Sequence, residues 1–151
     1  MRGLFLLGVF FCSLVFATQD IKELREQVIG YNQGLIQAAR TSKVDHLRLF
    51  LTEPLIEKTL LWIKAYHDDN LFMDAIVNKI AFDTITPNIE EKSAQVITQE
   101  EWRYRYINIK SKKEVYPPTK IFYKMKYLFI YLNERWIIKE VTVLSERQEK
   151  L

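Results

Sequence analysis

The stretch Ile121-Phe-Tyr-Lys-Met-Lys-Tyr-Leu-Phe-Ile-Tyr-Leu132 decides the fold class. It is rich in aromatic and branched residues. Asn133-Glu134-Arg135 interrupts it, and Trp136-Ile-Ile-Lys-Glu-Val-Thr-Val-Leu144 resumes the pattern. Two strand-like runs around a short polar turn predict a β-hairpin. Side chains alternate across a strand, so Tyr123, Met125 and Tyr127 share one face. Lys124 and Lys126 start the other face basic, and Leu128, Ile130 and Leu132 turn it apolar.

Upstream, Ser93 to Lys110 reads as a strand with a bulge near Thr98 to Glu101. Beyond that point Trp102, Tyr104 and Tyr106 share a face, with Arg103 and Arg105 opposite. Ile76 to Thr86 reads as an earlier strand. It places Ile76, Asn78, Ile80, Phe82 and Thr84 on one face and Val77, Lys79, Ala81, Asp83 and Ile85 on the other. Pro87 to Lys92 is a turn, and Ser111 to Pro118 a loop.

The first part of the chain is helical. Ile21, Leu24, Val28, Tyr31, Leu35 and Ala38 alternate spacings of three and four, which predicts a helix over Gln19 to Arg40, with Asp20 able to cap its start. Gly30 and Gly34 lie within it, where each costs about 1 kcal/mol relative to Ala. They imply a bend or a close approach to the sheet. Val44 to Leu51 is a second, short helical piece. Thr52 and Pro54 open a third helix, with Leu55, Thr59, Trp62, Ile63 and Tyr66 on its apolar face. Helices followed by strands argue for an α+β fold: three N-terminal helices on one face of a strongly curved antiparallel sheet of four to five strands.

The 151 residues, 48% hydrophobic and 13% aromatic, suit one domain with a real core. Met1-Arg2 followed by the uncharged run Gly3 to Phe16 reads as a signal peptide, and Val15-Phe16-Ala17 offers a cleavage site after Ala17. The run falls short of the ~20 residues of a membrane span. Residues 1–17 are thus a targeting segment, residues 18–145 one domain and residues 146–151 a charged, fraying tail. The chain is expected to be exported, periplasmic or secreted, and to touch a membrane only if the segment stays uncleaved. Cys12 lacks the small residues that lipidation wants before it. Cleavage removes Arg2, so 21 basic residues face 19 acidic ones, a net charge of +2. That balance points away from nucleic acid as a partner. Cys12, the one cysteine, leaves with the signal, which removes disulfides, thiol nucleophiles and Cys-based zinc sites.

The helix face from Ile21 to Ala38, the Leu55 to Tyr66 helix, Glu101-Trp-Arg-Tyr-Arg-Tyr106 and Tyr127-Leu-Phe-Ile-Tyr-Leu-Asn-Glu-Arg-Trp-Ile-Ile138 together resemble the nuclear transport factor two-like superfamily. Within it, the chain is most similar to the IMS domain of plastid-division-type proteins, where a Trp-x-Tyr-x-Tyr strand also precedes a Tyr-rich strand and a closing Trp-containing strand. The resemblance implies a cystatin-like, cone-shaped α+β domain. It covers nearly all of the chain after the signal, but the usual glycine of the hairpin turn is replaced by Asn133-Glu134-Arg135. The superfamily includes isomerases, dehydratases and non-enzymatic binding domains, so fold alone does not choose among them.

Isomerase-like members would use a carboxylate base in the cone. Asp83 is a candidate, but it falls on the face opposite Ile80 and Phe82, and a solvated or paired carboxylate is the ordinary outcome there. His46 and His67 have no second His at metal-ligand spacing, and His67-Asp68-Asp69 reads as an exposed helix end. No metal, cofactor or catalytic residue is called for. Two surfaces remain. Trp62, Tyr66, Trp102, Tyr104, Tyr106, Tyr123 and Tyr127 form either a packed core or the lining of a cavity for a small apolar ligand. Arg103, Arg105, Lys124, Lys126, Leu128 and Ile130 form a sheet face that is basic at one end and apolar at the other. The leading expectation is a non-catalytic envelope domain that binds a protein partner, or a second copy of itself, through that sheet face. The alternative is a small-molecule binding protein, or less readily an isomerase- or dehydratase-like enzyme, using the aromatic cavity.

Overall fold

Two helices, a helical turn and four long strands follow one another along the chain. The computed structural model describes the backbone of residues 4–151 and the side chains from residue 17 onward. Met1 to Gly3 lie outside the described residues. Cys12 and the side chains of the targeting segment up to Phe16 also lie outside them.

Helix α1 spans Leu4–Thr41. Its apolar stripe is the predicted one: Leu24, Val28, Tyr31 and Ala38 are buried, and Leu35 packs against them. Asp20 sits inside this helix and caps nothing. It accepts a hydrogen bond from the Trp136 indole at 2.9 Å.

The second expected helix is a short 3₁₀ turn, Asp45–Leu49, so the fold has two α-helices where the sequence suggested three. The physical reason lies in where its backbone groups go. Leu47 is the turn's buried residue. Directly after it, Phe50 O accepts from Ile138 N at 2.8 Å and Thr52 N donates to Ile138 O at 3.0 Å. These bonds tie the segment to the sheet and cover part of an edge that would otherwise be open. Helix α2, Glu53–Asp68, follows with Pro54 in its first turn and buries Ile56, Thr59 and Ile63. It ends at Asn70, whose positive φ of 57° suits an asparagine.

Strands β1 (Leu71–Asn88), β2 (Ser93–Asn108), β3 (Glu114–Leu132) and β4 (Arg135–Lys150) form one antiparallel sheet in the order β1-β2-β3-β4. Strands β1, β3 and β4 run longer than expected, and β2 ends two residues short of the expected Lys110. Residues 146–150 are no frayed tail: Glu149 pairs with Lys120, and Arg147 pairs with Phe122 and lies over its ring at 4.3 Å. The expected loop at Ser111 to Pro118 is mostly strand. Pro117 and Pro118 fall where the register jumps from Tyr106↔Tyr116 to Tyr104↔Thr119, a position where a missing N–H removes no ladder bond.

Between β1 and β2 the bulges sit on β1, at Asn78 and Asp83, rather than on β2 near Thr98 to Glu101. Each extra residue flips the inward face. Met73, Ala75 and Val77 point into the fold, then Ile80 and Phe82, then Ile85, and Ile76 is left 58% exposed. Strand β2 alternates without a break through buried Ala94, Val96, Thr98, Glu100 and Trp102. Its polar residues suggested a slipped register. They are polar residues that stay inside.

Both helices pack on this inward face. Leu24, Val28, Leu47, Ile56 and Ile63 meet Val96, Tyr127, Phe129, Trp136 and Ile138 in one core cluster. A smaller cluster of Ala75, Trp102 and Ile121 lies toward the other end of the sheet. The two helix glycines make room for the 3₁₀ turn rather than for the sheet. A Cβ on Gly30 would fall 2.4 Å from the Phe50 ring, and one on Gly34 would fall 2.9 Å from Leu47.

Candidate functional site: an aromatic cavity closed by a buried glutamate

Between α1, α2 and the inner face of the sheet lies a cavity of about 290 Å³. Strand alternation builds one wall. Trp102, Tyr104 and Tyr106 come from β2, Tyr123 and Met125 from β3, and Met73 and Ala75 from β1. Tyr31, Asn32 and Leu35 come from one stretch of α1, and Trp62 and Tyr66 from the last turns of α2. Trp62, 37% exposed, and Val143 stand at its rim.

The rings brace one another. Tyr66 stacks on Tyr106 with centroids 5.3 Å apart, and Trp62 meets Tyr66 edge-on at 5.5 Å. Tyr104 meets Tyr106 edge-on at 5.7 Å, and the Tyr106 hydroxyl donates to that of Tyr66 at 3.4 Å. Such pairs favour offset or edge-on geometry because of the ring quadrupole. Burial, followed by the bond to Tyr66, raises the Tyr106 hydroxyl well above its ordinary pKa. Burial, followed by the charge of Glu146, pushes Tyr123 up to about 12.

Glu100 also lines the cavity, although it is only 3% exposed. Its Oε1 accepts from Tyr127 at 2.6 Å, from Thr98 at 2.8 Å and from Asn32 at 3.3 Å. Its Oε2 accepts from the Trp102 indole at 2.8 Å. The Asn32 amide nitrogen and the Trp102 indole nitrogen can only donate, so both carboxylate oxygens act as acceptors. Burial, then the Glu100 charge, raises the Tyr127 and Tyr31 hydroxyls far above their ordinary range, which keeps both as neutral donors.

Six of the seven aromatic residues singled out from the sequence come together here: Trp62, Tyr66, Trp102, Tyr104, Tyr106 and Tyr123. Tyr127 is a correction. It is fully buried in the main core, behind the cavity, and reaches it only through the hydroxyl bound to Glu100. Glu100 itself is absent from the candidates. The signal that marks it is the two-residue spacing Ala94, Val96, Thr98, Glu100, Trp102, Tyr104, once no bulge is assumed there.

The two histidines are structural ties. His46 Nε2 lies 2.8 Å from Gly34 O. His67 Nε2 lies 3.0 Å from Ala39 O and its Nδ1 lies 2.7 Å from Ser42 Oγ, so it joins the ends of the helices. Among the described residues, no group of His, Asp and Glu is arranged to hold a metal ion. Asp83 is exposed and accepts from Gln99 at 3.0 Å.

The outer face of the sheet carries the predicted charge pattern, with acids interleaved. Arg105 pairs with Asp74 at 3.0 Å and with Glu114 at 3.4 Å. Asp74 also holds Arg40 at 2.5 Å. Glu101 pairs with Lys120 at 3.0 Å, and that bond lowers the pKa of Glu101. Arg103 and Lys124 are exposed, while Lys126, Leu128 and Ile130 are half-buried. Ile130 faces Ile137 across β3 and β4, and Leu128 faces Gln95 and Glu140.

No family model matches the chain, and no curated protein matches it. Among solved structures, it is similar to the intermembrane space region of the chloroplast protein ARC6, with a TM-score of 0.71 at 15% identity. The match spans 82% of this chain and 95% of that one. The two share a fold. At this identity the likeness carries the α+β architecture and leaves function to the residues of the site. Among the described residues, no helix is long and apolar enough to cross a membrane.

Proposed function

We propose that this chain is an exported, non-catalytic binding domain that receives a small, largely apolar ligand in its aromatic cavity. One observation carries the reading. Rings from α1, α2, β2 and β3 surround about 290 Å³ of space rather than closing on one another. Apolar walls with a few convergent polar groups are what small-molecule sites have in common. We place the fold within the cone-shaped nuclear transport factor two-like superfamily, whose cavity serves binding in some members and catalysis in others.

Glu100 Oε1 already accepts from three protein donors and Oε2 from the Trp102 indole, so the carboxylate is a fixed polar group in an otherwise apolar site. The exported location rests on the apolar leader, and cleavage after Ala17 would leave Asp20 and Glu23 in place to hold Trp136.

Met73 and Met125 both line the cavity, so their methyl groups report on it. With methionine methyls labelled for NMR, indole is expected to shift both signals in a saturable way. Ala75→Leu, which fills the space beside them, is expected to weaken the response. If saturating indole leaves both methyls unmoved in the wild-type chain, the cavity reading fails.

A second reading follows from the outer face, which no helix covers. Half-buried Leu128 and Ile130 and the exposed Leu132 lie together there, and a protein partner or a second copy would bury them further. Self-association that is lost in Ile130→Lys supports this reading. A monomer at high concentration that is indifferent to the substitution removes the homodimer.

A further inference from the structure

We infer that the cavity selects an organic cation, a small alkylammonium ion, with its charged head beside Glu100; this rests on the cavity reading and names its ligand class. The first ground is charge. Glu100 is buried, and its four protein partners are Tyr127, Thr98, Asn32 and Trp102, none of them basic. Among the described residues that line the cavity, there is no Lys, Arg or His. A buried carboxylate with hydrogen bonds but no counter-charge leaves a local field that a cation would satisfy.

The second ground is valence. Among the described residues, Oε1 takes three donors, whereas Oε2 takes only the Trp102 indole at 2.8 Å. A carboxylate oxygen has room for a second donor, so an ammonium N–H finds an acceptor on Oε2. The third ground is the walls. Aromatic faces carry negative quadrupole potential, and a cation within ~6 Å of a ring centroid is attracted to it. Trp62, Tyr66, Trp102, Tyr104 and Tyr123 supply such rings from two helix turns and two strands. The carboxylate, the ring faces and the lack of a basic side chain all favour the same sign of ligand. An anionic ligand would meet like charge at Glu100, with no basic side chain among the described lining residues to offset it.

The test holds the hydrocarbon constant and changes the head group. The probes are 3,3-dimethylbutylamine, 3,3-dimethylbutan-1-ol and 3,3-dimethylbutanoate, titrated into the full chain at neutral pH while the Met73 and Met125 methyl signals are followed. The ammonium is expected to bind at least tenfold tighter than the alcohol, and the carboxylate weakest. Glu100→Gln is expected to remove the preference of amine over alcohol while the alcohol still binds. Should that variant not fold, Trp62→Leu at the rim serves instead, with a severalfold loss for the amine and little change for the alcohol. An alcohol that matches the amine in the wild-type chain, or a carboxylate that exceeds it, overturns the cation inference. So does indole binding in the cavity when all three probes fail. Failure of indole as well as the three probes removes the cavity reading itself.

Discussion

Tyr127 on β3 holds Glu100 on β2 through a hydrogen bond of 2.6 Å, and both side chains are buried. The bond joins the core to the cavity wall: the tyrosine ring packs in the main cluster while its hydroxyl fixes the carboxylate. Removing the hydroxyl leaves a buried charge with one donor fewer. Tyr127→Phe is therefore expected to lower unfolding stability by about 1.5–3 kcal/mol, the range for a hydrogen bond to a charged group. Urea denaturation followed by tryptophan fluorescence measures it, and a loss well below this range would mean that Asn32 and Thr98 suffice.

The tyrosines set the alkaline limit of the fold. Tyr123 is pushed up to about 12, Tyr31 and Tyr106 lie higher still, and Tyr127 is raised well above its ordinary value, with burial the first cause in each case. A group whose pKa is raised by folding contributes its stability in full below its unfolded value of about 10 and loses it as pH rises through the folded value. Stability should hold up to about pH 9.5 and fall between about pH 10 and 12. Phenolate absorbance from these four residues should appear together with unfolding. A full phenolate signal at pH 10.5 with the far-ultraviolet circular dichroism unchanged would contradict this.

The hairpin turn should accept glycine with a gain. Asn133 and Glu134 both have positive φ, 50° and 63°, as a two-residue primed turn requires. Asparagine tolerates that region, whereas glutamate is held there at some cost. Glu134→Gly is expected to raise stability by roughly 0.5–1 kcal/mol, net of the added freedom of the unfolded chain. A shift in the thermal midpoint checks the sign.

The opposite sign is expected at Gly30. Alanine gains about 1 kcal/mol of helix propensity there, but its Cβ would fall 2.4 Å from the Phe50 ring. Displacing a packed ring costs about 1–3 kcal/mol, so Gly30→Ala should be destabilising overall, by about 1 kcal/mol. The double variant Gly30→Ala, Phe50→Leu should recover part of that loss.

Asp20 should matter although it lies far from the cavity. It accepts from the indole of Trp136, a residue only 1% exposed, while Glu23 accepts from the Trp136 backbone N–H at 2.9 Å. Asp20→Ala leaves the indole donor unpaired, at an expected cost of about 1–3 kcal/mol, and Asp20→Asn should retain most of the bond. A chain in which both variants unfold at the same urea concentration would assign Asp20 a role in charge rather than acceptance.

Much of this architecture was legible in short-range pattern. Period-two alternation along Ile121 to Leu132 assigned Tyr123 and Met125 to the cavity wall and Lys124 and Lys126 to the outer face, where the structure places them. Threefold and fourfold spacing located the buried stripe of α1 from Leu24 to Ala38. These readings hold because burying one face of a periodic element is a local constraint, written in neighbouring residues.

Tertiary structure decided what depends on partners distant in sequence. The bulges of the β1–β2 pair belong to β1, at Asn78 and Asp83, because the register is a property of two strands at once. The Val44 to Leu51 segment became a 3₁₀ turn because Ile138 supplies bonds that a third helix would have had to make within itself. Glu100 looked like a break in an apolar strand. Its donors come from α1, β2 and β3, up to 68 positions from Glu100 in the chain. A buried carboxylate is tolerable only where such donors converge, and convergence is set by packing rather than by spacing. The sequence by itself thus specified the aromatic wall, and the fold placed a negative charge against it.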